Sequence, residues 1–259
     1  MTGLDLSRRG LVTGGALALG GLMLAGCDRL SCAPKFVSLL ASAEGLTLGA
    51  QRLVLSGQPL AREYALEDRS PVFKANGTKH PQTPEYLAAQ TDDFANWRLP
   101  IDGLVRRPLS FSLHQLRSLP SRTQVTRHDC VEGWSAIGQW TGVRLAGLLS
   151  AAQLLPNARY IVFHCADDLA RSADGKDRYY ESIDLFDAFH PQTILAYALN
   201  GARLAVDHGA PLRLRVERQL GYKQAKYLMR IEVVERLDHI AGGKGGFWED
   251  RGYEWYAGI

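Results

Sequence analysis

Cysteine is scarce in this 259-residue chain: there are four, at positions 27, 32, 130 and 165, and none has a C-x-x-C or H-x-x-x-H partner. This spacing argues against a zinc site built from paired ligands and against a disulfide-dense framework. The chain has no C-x-x-C-H for haem attachment and no flavin or nicotinamide signature, so electrons would have to come from or go to another protein. Internal repeats and Pro- or Ser-rich linkers are also missing, which argues against a repeat array and against a split into many domains. The net charge is only +3, too mild to call for nucleic acid, although a basic cleft for one anionic ligand would fit it. No apolar run reaches the roughly 20 residues that a membrane-spanning helix needs.

What is present begins at the N-terminus. Ser7, Arg8 and Arg9 form a twin-arginine pair ahead of an apolar run, Leu11 to Ala25. Gly10, Gly14, Gly15, Gly20 and Gly21 weaken it as a buried helix, each by about 1 kcal/mol relative to alanine, so the run reads as an export signal. Leu24-Ala25-Gly26-Cys27 closes it and resembles a lipobox. A lipidated Cys27 would hold the mature chain at a membrane without spanning it; ordinary signal-peptidase cleavage is the alternative. The expected location is the periplasm, and contact with the membrane is by lipid anchor only. The twin-arginine route carries folded proteins, and the usual reason to fold first is a cofactor inserted in the cytoplasm. The expected organisation is a signal with lipobox over 1–27, a tether and N-terminal extension over 28–69, and one domain over 70–259.

Composition is that of a globular domain, with 46% hydrophobic and 22% charged residues. Short runs rich in β-branched and aromatic residues predict strands at WRLPIDGLV, TQVTRH, RYIVFHCA, TILAYAL, APLRLRVE and YLMRIEVVE. Short helices are predicted after Ser112, after Gly142 and after Ser182, the last stopped by Pro191. Asn200-Gly201 predicts a hairpin turn. The fold class is therefore α+β, a single mixed domain dominated by strands.

With Cys27 cleaved or lipidated, Cys32, Cys130 and Cys165 remain, an odd number, so at least one is unpaired; a Cys130–Cys165 disulfide stays open. A His128–Cys130 nucleophile pair is disfavoured, because i and i+2 on a strand stand roughly 7 Å apart, long for proton transfer. A single thiolate on a metal that an organic cofactor otherwise holds fits both the lone cysteine and folded export.

The segment RHDCVEGWSAIGQWTGVRLAGLL resembles the core of the sulfite oxidase-fold molybdopterin oxidoreductases, especially the bacterial periplasmic group containing the catalytic subunit of protein-methionine-sulfoxide reductase. APLRLRVERQLGYKQAKYLMRIEVVE, GGFWEDRGYEWY and SPVFKANGTKHP extend the resemblance in the right order over nearly all of the chain after about residue 70. It implies one molybdenum-molybdopterin per chain, no haem or flavin, and Cys130 as the protein ligand to molybdenum. Asn76, Cys165, His208, Arg213, Gly221, Tyr222, Lys223 and Lys226 are implied at the pterin. The residue types suit that role: Arg213 offers a planar fork of donors for a ring edge or phosphate, the lysines bring point charges, and Gly221 allows close backbone approach. His128 is implied to hydrogen-bond a metal-bound oxo group or deliver a proton, with Arg127 and Trp134 beside it. The group usually carries asparagine where His208 stands and commonly threonine where Cys165 stands, departures that bear on the substrate rather than on the cofactor.

The implied activity is oxygen-atom transfer, reducing S-oxides such as methionine sulfoxide, with a membrane cytochrome b or a soluble cytochrome c as electron partner. A sulfite dehydrogenase is the alternative, which would call on a cation such as Arg127, Arg144 or Arg171. A cofactor-free binding lipoprotein is the second alternative.

Overall fold

A computed structural model describes residues 33–54, 58–169 and 178–259. Arg8, Arg9, Cys27 and Cys32, and with them the expectations of export and anchoring, lie outside the described residues, as does Arg171. The chain divides into a unit that ends at Leu55 and another that runs from Ser56 to Ile259. In the first, the expected tether contains a helix, α1 (Pro34–Val54), opened by a proline whose missing N–H costs nothing in a first turn. No described helix is long and apolar enough to cross a membrane.

The second unit begins ahead of the boundary expected at residue 70. Ala61 N–H donates to Gln192 Oε1 at 2.7 Å and its carbonyl accepts from Gln192 Nε2 at 2.9 Å. Tyr64 N–H donates to Val125 O at 2.9 Å, and Ser70 N–H to Ile137 O at 3.0 Å. Gln192 is buried, and a buried amide needs partners; the extension supplies them and so becomes part of the domain.

Two five-stranded sheets follow. One runs in the order β2-β1-β10-β5-β6, with β1 (Arg98–Gly103), β2 (Leu109–Ser112), β5 (Tyr160–Asp168), β6 (Arg178–Asp184) and β10 (Leu228–Val234). The other runs β3 (Ser121–Asp129), β4 (Ser135–Arg144), β7 (Ile194–Leu199), β8 (Ala202–Arg203), with β9 (Arg213–Arg215) also paired to β7. Among the described residues, only β1 and β10 pair in parallel. The helices of this unit are short: α2 (Pro84–Thr91), α3 (Leu113–Ser118), α4 (Leu145–Ala152) and α5 (Leu185–Ala188). The α+β, strand-dominated class expected from the sequence is the one observed.

Local chemistry explains most boundaries. Ser112 caps α3 in a capping box with Gln115, as predicted. Asn200 and Gly201 both take positive φ, 53° and 80°, the geometry of the tight turn between β7 and β8. Two predicted caps move. Gly142 lies inside β4 at a bulge against β7, where a β-carbon would sit 2.2 Å from Leu195 O; α4 starts only at Leu145. Ser182 lies inside β6, and Asp184 caps α5 by accepting from Asp187 N–H at 3.0 Å.

One hydrophobic core draws on both sheets, with Leu99, Ile101, Phe163 and Ile231 from one and Val143, Leu195 and Leu214 from the other. A smaller cluster forms around Trp140, fully buried and met edge-on by Phe73 at 5.1 Å. Burying a tryptophan is worth roughly 4–6 kcal/mol by apolar area, and this one anchors the β3–β4 hairpin, whose tip carries the site.

Candidate active site

β3 and β4 pair residue for residue from Ser121↔Val143 to Asp129↔Ser135, leaving 130–134 as the tip of the hairpin. There Cys130 N–H donates to Trp134 O and Gly133 N–H to Cys130 O, both at 2.9 Å. Gly133 has φ +84°, which favours a residue without a side chain. Cys130 is thereby held by backbone on both sides. Its thiol borders a cavity of about 310 Å³, and Asn76 Nδ2 donates to Sγ at 3.5 Å. Cys130 and Cys165 are both free thiols, which removes the disulfide alternative.

Cations and backbone carbonyls make one side of the cavity. Arg213 is buried, donates to His208 O at 3.0 Å and Gln224 O at 3.3 Å, and lies over the Trp140 ring at 4.9 Å. Its Nε has no partner. Burial, then neighbouring Arg215, lowers its proton affinity to about 9. Lys226 Nζ donates to Asn76 O at 2.8 Å, to Asp207 O at 3.1 Å and to Thr78 O, stitching the 76–78 loop to the site. Burial first, and Arg213 second, brings it down to about 7. His208 donates from Nε2 to Phe73 O at 2.9 Å, and its Nδ1 meets Asp207 Oδ1 at 2.7 Å.

His128 also lines the cavity. Arg215 lies 3.0 Å from its Nδ1, and because a guanidinium only donates, Nδ1 must accept and the neutral ring carries its proton on Nε2. Arg215 is itself fixed by Glu217 through Nε–Oε1 at 3.0 Å and Nη2–Oε2 at 2.5 Å, both side chains fully buried. Burial, then Arg215 and Arg213, holds His128 well below its ordinary pKa. In this tautomer Nε2–H is the hydrogen-bond donor that the ring keeps free of Arg215. Gly221 packs against this ring: a β-carbon there would lie 2.5 Å from His128 Nε2.

Of the residues singled out from the sequence, Cys130, His128, Asn76 and Trp134 line the cavity, as do His208, Arg213, Gly221, Tyr222 and Lys226. Cys165, Lys223 and Arg127 do not. Cys165 is buried in the hydrophobic core, where burial pushes its thiol up and keeps it protonated. Lys223 is fully buried between Glu181 and Glu249. Arg127 is exposed and turns to Asp129, with Nε 2.9 Å from Oδ1.

Sequence reasoning missed Asp167 and Glu132. Asp167 is buried at the cavity with Oδ1 unpartnered, and burial, against the pull of Lys226, brings its pKa up to about 7. The signal was an acid at the end of an otherwise apolar strand. Glu132 accepts from Trp134 Nε1 at 3.1 Å and lies 3.8 Å from Lys74 Nζ; hydrogen bonds from Trp134 and Asn76 lower its pKa. Its place two residues after Cys130 was the available clue.

Among the described residues no cluster of three or more His, Cys, Asp or Glu could hold a metal. A metal here would take one soft ligand from the protein, Cys130, and the rest from an organic group. An anionic group with a ring edge of donors and acceptors fits the remaining features: buried, under-compensated cations in Arg213 and Lys226, and the unpartnered Asp167 Oδ1.

The family model for the oxidoreductase molybdopterin binding domain matches residues 86–239, more than half of the chain. The "Putative protein-methionine-sulfoxide reductase subunit YedZ1" of Azospira oryzae is 42% identical over 166 residues, 64% of this chain and 57% of that protein. The "Protein-methionine-sulfoxide reductase catalytic subunit MsrP" of Xanthomonas axonopodis pv. citri is 34% identical over 166 residues, 62% of this chain and 52% of that protein. The chain spans a little over half the length of these curated relatives. The sulfane dehydrogenase SoxCD of Paracoccus pantotrophus aligns with a TM-score of 0.48 and 24% identity, over 55% of this chain and 39% of that one.

Proposed function

This chain belongs to the family of oxidoreductases with a molybdopterin-binding domain, and on that premise we propose that it is a periplasmic enzyme of oxygen-atom transfer that reduces S-oxides such as methionine sulfoxide. The family implies a molybdenum cofactor, and the cavity fits one. Cys130 would be its protein ligand, Arg213 and Lys226 would take its anionic end, and Asp167 and the backbone near Gly221 would face its ring edge. Bound there, the cofactor supplies a two-electron couple that moves an oxygen atom to or from a substrate lone pair. The chain's own residues hold that group and exclude the wrong substrate.

The observation that carries the choice of substrate lies around the thiol. Val131, Glu132 and Trp134 follow Cys130 along the cavity, with Asn76 opposite. Glu132 brings a carboxylate to the lining close to Cys130, offset in part by Lys74 at 3.8 Å, and a carboxylate there disfavours a sulfite dianion relative to a neutral sulfoxide. Arg127, the cation nearest in sequence that could have drawn sulfite, is bound to Asp129 instead, and Arg144 is exposed at the start of α4.

Reducing a sulfoxide to a thioether takes up two electrons and two protons and releases water. Electrons would come from a protein partner, a membrane cytochrome b or a soluble cytochrome c. The arginine pair and the LAGC tetrad support twin-arginine export and a lipid anchor at Cys27.

Steady-state assays on one molybdenum-loaded preparation test the proposal. Methionine sulfoxide with a reduced dye should turn over faster than sulfite with ferricyanide, and a faster sulfite reaction would reverse the choice. Metal analysis should give about one molybdenum per chain; a metal-free protein from a replete host would favour the binding lipoprotein.

A further inference from the structure

Lys223 stands on no wall of the cavity, yet it is fully buried between two carboxyl groups. Its Nζ lies 2.5 Å from Glu181 Oε1 and 2.6 Å from Glu249 Oε1, and all three side chains are buried. The three come from separate segments: Lys223 from the 3-10 turn Gly221–Lys223, Glu181 from β6, and Glu249 from the 3-10 turn Glu249–Arg251 near the C-terminus. Each segment also contributes to the cavity, through Tyr222, Tyr179 and Trp248 respectively. The two carboxyl groups close over Gly246, where a β-carbon would sit 1.9 Å from Glu249 Oε2 and 2.8 Å from Glu181 Oε1.

Around this knot the rings interlock. Tyr253 meets Tyr222 edge-on at 5.2 Å and stacks on Trp248 at 5.3 Å. Tyr179 OH donates to Tyr222 O, and Tyr222 OH to Glu254 O at 2.7 Å. Burying Lys223 with two carboxyl groups, of which Glu181 is pushed well above its ordinary pKa by burial and by Glu249, costs several kcal/mol per ion before pairing offsets it, so such a cluster is a poor way merely to stabilise a core. It is an effective way to fix one arrangement, because a displaced segment would leave a charge buried and unpaired.

We propose that Lys223, Glu181 and Glu249 are positioning residues, a clamp that seats residues 247–254 against the Gly221–Lys223 turn and thereby forms the aromatic wall of the cavity. The effect on turnover rests on the cavity being the catalytic site; the seating of the segment does not.

The test compares full-length, molybdenum-loaded wild type with Lys223→Met and with the triple variant Lys223→Met, Glu181→Gln, Glu249→Gln, which removes all three ionisable groups at nearly constant volume. The readouts are melting temperature, hydrogen exchange over 247–254, and KM and kcat for methionine sulfoxide with a reduced dye. The single variant strands two buried carboxyl groups without their shared ammonium and should melt well below wild type. The triple variant should recover most of that loss, yet exchange in 247–254 should stay about tenfold faster and KM about tenfold higher, with kcat within about twofold. Wild-type exchange in the triple variant overturns the clamp. Faster exchange with wild-type KM overturns its link to the catalytic cavity, and leaves the seating of the segment intact.

Discussion

The two buried thiols differ in surroundings, and surroundings decide what a thiol does. Cys130 is at a hairpin tip with an amide donor on its sulfur; Cys165 is packed in core with its thiol kept protonated. Cys130→Ser should leave the fold intact, lower the molybdenum content and reduce S-oxide turnover by more than about a hundredfold. Cys165→Ala should cost about 1 kcal/mol of stability in urea unfolding and change turnover less than about threefold. Asp167 offers a test by pH. Its folded pKa is raised from the ordinary 3.8 to about 7, so its contribution is fully present below pH 4 and is lost as pH rises toward 7. Three histidines with lowered pKa, His128, His164 and His190, act in the opposite sense over the same range, so the comparison is between variants: the unfolding free energy of cofactor-free wild type relative to Asp167→Asn should fall from pH 5 to pH 7. Lys226, lowered to about 7 by burial and by Arg213, acts in the opposite sense as pH rises through and above that value.

Elements are set by local chemistry where they are exposed and by close approach where they are not. The Ser112 cap of α3 is half-buried and does not line the cavity; Ser112→Ala should cost about 1 kcal/mol and leave turnover unchanged. Gly221 has the opposite character. An alanine there would place its β-carbon against His128 Nε2 and within 3.3 Å of Asp129 O, so the turn must shift away from the thiol-bearing hairpin. Gly221→Ala should lower turnover by about tenfold or more with a smaller change in melting temperature, measured side by side with Ser112→Ala.

At the scale of the whole molecule, the proposed route out of the cytoplasm and the proposed cofactor site are linked, because a cofactor inserted in the cytoplasm would have to be bound before export. Arg8→Lys with Arg9→Lys should hold the protein in the cytoplasm, and Cys27→Ala should release it from the membrane into the periplasmic fraction, both read by fractionation and immunoblot. Periplasmic accumulation of the double-lysine variant would show that export does not use the folded-protein route.

Strand content, the Asn200-Gly201 turn and the Ser112 cap were legible in the sequence, because each rests on residue types acting within a few positions of one another. The misplaced helix starts at Gly142 and Ser182 show the limit: both residues serve strand pairing with partners some fifty or more positions away, for Gly142, or twenty, for Ser182. The same limit applies to Lys223, which reads as a cofactor lysine beside Gly221 and Tyr222 and is in fact drawn inward by Glu181 and Glu249, 42 and 26 residues distant. Arg215 likewise reads as one more alternating strand residue until His128, 87 positions earlier, is placed against it. A side chain's chemical type, and so the class of ligand it can hold, follows from its own atoms and is written in the sequence. Its protonation state, its tautomer and which surface it faces depend on charges and excluded water contributed by distant segments, and only the tertiary structure brings those together.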